Sequence, residues 1–168
     1  MEPAEALSTV AQIAVALAGF AGVVVVFRTE SLHRWAAIDR FRLWLLLANS
    51  VIPLALALLA ILLLAAEPAP VAIWRWCSGI AGPFLLLFAA LTVRAGRAIP
   101  APELQADRTA RLLFYPLFFL GAAVTLLQFY NAIFAGRFRY FFVAIVFQLL
   151  GALLQFVRLI LAGPARKN

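Results

Sequence analysis

Residues 112–162 read LLFYPLFFLGAAVTLLQFYNAIFAGRFRYFFVAIVFQLLGALLQFVRLILA. Two apolar runs, 112–134 and 140–162, flank the turn Ala135-Gly136-Arg137-Phe138-Arg139. About 20 apolar residues, rising ~1.5 Å each, cover the ~30 Å hydrocarbon core of a bilayer, and each run is long enough. Both are therefore predicted to be transmembrane helices. Their few polar residues fall on helix faces: Gly121, Thr125 and Gln128 step by four and three, as do Gln148, Gly151 or Ala152, Gln155 and Arg158. Folded as an antiparallel hairpin about Arg137, the two runs bring Gln128 level with Gln148, Thr125 with Gly151 and Gly121 with Gln155. That register predicts a buried seam.

The rest of the chain is of the same kind. Its 168 residues are 66% hydrophobic and 12% charged, against about half and about a quarter in soluble proteins. This is the composition of an integral membrane protein, and spanning helices leave no length for a separate soluble domain. Residues 1–168 read as a single transmembrane helical domain. The net charge of +7 is not a nucleic-acid footprint, because the arginines lie between apolar spans instead of on one face among aromatics. They are expected to set topology and meet anionic headgroups, which makes membrane lipids the first partner. Arg outnumbers Lys thirteen to one, a usage suggesting a bacterial source.

Five spans are expected, at 7–27, 43–66, 74–93, 112–134 and 140–162. The first follows the acidic leader Met1-Glu2-Pro3-Ala4-Glu5, unlike the basic start of a secretory signal, and reads as a retained span. It carries Ala14, Ala18 and Gly22 four residues apart, a small-residue row for close helix approach. Span two holds Asn49, Ser50 and Pro53. Proline frees the carbonyl four residues back, with Asn49 and Ser50 at hand to satisfy freed groups. Counting back through the first loop puts Asn49 level with Gly22. Between these spans, 28–42 mixes charges with Leu32, Trp35, Ile38 and Phe41, as a short helix on the membrane surface would.

Span three contains Gly79, Gly82 and Pro83, so four spans plus a re-entrant segment is the alternative. Charge decides between them. With five spans, one side of the membrane holds Arg28, Arg34, Arg40, Arg42, Arg94, Arg97, Arg108, Arg111, Arg158, Arg166 and Lys167, and the other only Arg75, Arg137 and Arg139. Cytoplasmic loops collect basic residues. The expected arrangement is a bacterial inner-membrane protein with its N-terminus outside and its C-terminus in the cytoplasm. Trp35 and Trp44 then fall near the inner boundary, and Trp74 and Trp76 near the outer one.

Chemistry is sparse. All seven carboxylates lie in loops or at span ends, which disfavours proton relays and cation filters. One histidine, His33, and one cysteine, Cys77, leave no metal or haem ligand set, and no cofactor is expected. Ser50 and Ser78 have no histidine at depth to activate them. The chain does not read as an enzyme. Two readings of the polar seam stand. In one, its amides glue helices together at ~0.6 kcal/mol per bond, while Arg158 snorkels to the headgroups. In the other, Gln128, Asn131, Gln148 and Gln155 line a solute path closed by cationic Arg158, favouring anionic or uncharged solutes.

Ala18-Gly19-Phe20-Ala21-Gly22-Val23, Asp39-Arg40-Phe41-Arg42 and Ser50-Val51-Ile52-Pro53-Leu54 together resemble small multi-spanning bacterial membrane proteins with no assigned role. The resemblance covers the first two spans and implies a polytopic helical membrane protein. The expectation is a five-helix bundle built around the last hairpin. It would act as a non-catalytic interaction or structural module that packs against itself or a membrane partner protein, with a small channel or transporter as the alternative.

Overall fold

Backbone amides in an apolar environment must be satisfied within their own segment, so long apolar runs fold as unbroken helices. The computed structural model describes residues 2–27, 35–66, 70–106 and 108–161. Its long helices are α1 (Pro3–Phe27), α2 (Ala37–Ala66), α3 (Pro70–Arg97), α5 (Arg108–Tyr130) and α6 (Phe138–Leu161). A short α4 (Ala101–Ala106) lies between α3 and α5, and a π-helical turn, Asn131–Ala135, closes α5. There is no strand among the described residues. Five helices are long and apolar enough to cross a membrane.

The third is one of them. α3 runs without a break through Gly79, Gly82 and Pro83, as one helix long and apolar enough to span. Pro83 is exposed, while Gly82 is buried under the ring of Phe129 on α5. α2 begins at Ala37, six residues before the expected start of the second span. Its first turns take up Ile38 to Arg42, which were expected on the membrane surface; residues 28–34 lie outside those described. Two contacts make that extension favourable. Asp39 and Arg42 pair at 2.8 Å one turn apart, and the Glu103 carboxylate of α4 accepts the free Ile38 N–H at 3.0 Å, capping the helix from a distant part of the chain.

Packing centres on α6, but its main partner is α2 rather than α5. Buried residues step by four and three along α6 (Phe141, Ile145, Gln148, Ala152, Gln155, Leu159) and along α1 (Leu7, Val10, Ala14, Leu17, Ala21). α2 follows the same rhythm through Leu46, Asn49, Pro53, Ala57 and Ala60. A repeat near 3.5 residues keeps each stripe facing its partner in left-handed helix packing. Alanines on these stripes let the backbones approach. Outer rings close the contact, with Phe20 of α1 stacked on Phe156 of α6 at 5.4 Å between centroids.

α5 is peripheral. From Leu112 onward, only Val124, Thr125 and Gln128 of its side chains are buried. The expected hairpin forms, but the bundle is organised around α2 and α6. Trp35 and Trp74 are buried as well, the latter against Phe138 at 4.8 Å, so two of the four tryptophans pack against the protein.

Candidate functional site

The polar groups of the bundle fall into three clusters, each built by a different pair of elements. The first lies where α3 meets the tip of the α5–α6 hairpin. Gln128 and Asn131, three residues apart, share one helix face, and Ser78 of α3 sits between them; all three side chains are fully buried. The Ser78 hydroxyl donates to Gln128 Oε1 at 3.0 Å and accepts from Asn131 Nδ2 at 2.8 Å. Gln128 Nε2 donates to the Tyr140 carbonyl at 2.8 Å. Asn131 closes the turn: its Oδ1 accepts the Arg137 N–H at 2.8 Å and its Nδ2 donates to the Arg137 carbonyl at 3.0 Å. Gly136 adopts φ 59°, ψ 39° and donates its N–H to the Asn131 carbonyl at 2.9 Å. Only this left-handed glycine lets the chain reverse directly after the π turn.

This geometry sets a register different from the one expected. Gln128 meets Tyr140, eight residues before Gln148, and a Cβ on Gly121 would touch Phe147 at 3.5 Å instead of lying beside Gln155. Val124 packs with Ala144. The physical cause is the turn: the expected hairpin folds about Arg137, whereas the Asn131 side chain closes onto the Arg137 backbone, so the chain reverses over 131–137, about Phe134. Thr125 does not reach Gly151; it back-bonds to the Gly121 carbonyl at 2.8 Å.

The second cluster lies between α2 and α6. A Cβ placed on Gly151 would come 3.3 Å from Asn49 Oδ1, so Gly151, and not Gly22, is the neighbour of Asn49. Gly22 is exposed, with nothing within 4 Å of its Cβ position. Asn49 and Ser50 donate to the Leu45 and Leu46 carbonyls, each at 2.8 Å, one turn before the groups that Pro53 frees. Gln148 and Gln155 flank Gly151 on the same buried stripe; Gln148 Nε2 and Gln155 Oε1 are buried without a hydrogen-bond partner. Arg158 is half-buried one turn beyond Gln155. Of the predicted seam residues, the structure thus joins Gln128 to Asn131 in one cluster and places Gln148 and Gln155 in another.

No protein-family model, curated protein or solved structure matches the chain. The chemistry therefore rests on the residues alone. The Ser78 hydroxyl gives its proton to an amide oxygen and accepts from an amide nitrogen, so these partners are amides and not a base. No group of three His, Cys, Asp or Glu side chains that could hold a metal ion occurs among the described residues. Ser78 is the one cluster member that sequence reasoning did not connect to the amides. Its signal was its place on the stripe Trp74, Ser78, Ala81, Leu85, all buried. The third cluster, Asp39, Arg42 and Glu103, ties the start of α2 to α4 at the opposite end of the bundle.

Proposed function

We propose that this chain is a bacterial inner-membrane protein, N-terminus outside and C-terminus cytoplasmic, that serves as a non-catalytic interaction or structural module. One observation carries the reading: Ser78, Gln128 and Asn131, fully buried, spend their hydrogen bonds on each other and on the hairpin backbone. Polar groups used this way hold helices and leave nothing for a solute. The broad apolar faces outside the bundle, such as Phe118, Phe119, Leu126 and Phe134 along α5 and its π turn, offer area for lipid, a second copy or a membrane partner.

A small channel or transporter for an anionic or uncharged solute keeps support from the partnerless Gln148 Nε2 and Gln155 Oε1. Purified protein in liposomes, assayed for anion and neutral-solute flux, separates the two readings when paired with cross-linking in native membranes. The module reading expects no flux above empty liposomes and a discrete cross-linked species. Flux that disappears in Gln148→Leu and Gln155→Leu would establish the channel in its place.

A further inference from the structure

Near the hairpin tip α3 and α5 touch closely, with Gly82 against Phe129 and Gly79 facing Ala132. Toward the other end, after Leu85 and Val124, the small residues Ala89 and Ala90 of α3 leave space into which α5, among the described residues, sends Phe118. The result is a groove of about 630 Å³ lined by Leu86, Ala89, Ala90, Val93 and Phe118, with Arg94 and Arg97 at its end.

We infer that this groove is a binding site for an anionic phospholipid, taking one acyl chain along α3 and the headgroup phosphate on Arg94 and Arg97. Three observations support that occupant. The walls are apolar side chains, and Leu86 and Phe118 stay largely exposed without it. From Leu86 to Arg97 is eleven residues, or about 16 Å of helix, which matches one leaflet of a ~30 Å core and puts charge where a headgroup sits. Arg94 and Arg97, three residues apart on one helix face, are exposed, and neither pairs with a carboxylate among the described residues. The nearby Glu103 carboxylate is already engaged as the cap of α2. Basic sites between transmembrane helices suit acidic headgroups, and this one adds a slot for the tail.

The inference rests on the helices standing in a bilayer, not on the module role. Full-length protein reconstituted in vesicles of equal parts phosphatidylglycerol and phosphatidylcholine, then purified in detergent, is weighed by native mass spectrometry for retained lipid. Wild type is expected to keep phosphatidylglycerol preferentially. Arg94→Gln with Arg97→Gln should lower that retention, by about fivefold per arginine, as should Ala90→Trp, which fills the slot. Arg137→Gln with Arg139→Gln, at the hairpin end, should leave it unchanged. Unfolding curves identify any variant that has merely lost its fold; Arg94→Gln and Arg97→Gln, both exposed, keep the headgroup test valid if Ala90→Trp misfolds. Equal retention of both lipids, or an equal loss in the hairpin-end variant, overturns the site. Competition by inorganic phosphate alone overturns the role of the tail. A protein released from membranes by alkaline carbonate overturns the bilayer reading instead.

Discussion

Asn131 makes three side-chain hydrogen bonds, two to the Arg137 backbone and one to Ser78. Replacing it with Leu leaves the part-buried Arg137 N–H and carbonyl and the buried Ser78 hydroxyl each one partner short. At ~0.6 kcal/mol for an average membrane hydrogen bond and up to ~1.7 for the strongest, Asn131→Leu should cost about 2 kcal/mol. Gln148 has the same amide chemistry at similar burial but an unpartnered Nε2, so Gln148→Leu should be neutral or stabilising. Unfolding in mixed detergent compares the two directly, and equal losses would refute the claim that the hairpin cluster, and not amide burial in general, holds the bundle.

At the scale of helices, glycines differ by what stands opposite. A Cβ on Gly82 would lie 3.1 to 3.3 Å from three atoms of the Phe129 ring, whereas Gly22 faces open space. Gly82→Val should force α3 from α5 at a cost of about 1 to 3 kcal/mol, while Gly22→Ala should gain up to ~1 kcal/mol from helix propensity. The same unfolding assay decides; a neutral Gly82→Val would mean that the α3–α5 contact adds little. Elements also show what spacing conveys. The row Ala14, Ala18, Gly22 advances by four, and each such step turns ~40° beyond a full turn, so Ala14 is in the core, Ala18 is half-buried and Gly22 is outside. The seven-residue rhythm Leu7, Val10, Ala14, Leu17, Ala21 is the one that stays on the interface.

For the whole molecule the decisive measurement is topology. Five crossings would place the ends on opposite faces, and eleven basic residues against three are the ground for proposing that the C-terminus is inside. Tags at each terminus, tested for accessibility in intact cells, should report the N-terminus outside and the C-terminus protected. Both tags on one face would mean that one of the five helices does not cross.

Composition, run length and the placement of the arginines by themselves pointed to five long apolar helices, because backbone satisfaction in an apolar medium leaves no other local choice. They also marked Gln128, Asn131 and Gln148 as the unusual residues at depth. Tertiary structure alone decided their partners. A polar side chain in a helix carries no address: whether Gln128 meets Gln148 or the Tyr140 carbonyl depends on how the turn closes, and that was settled by the Asn131 side chain, the left-handed Gly136 and the approach of Ser78 from a helix fifty residues away.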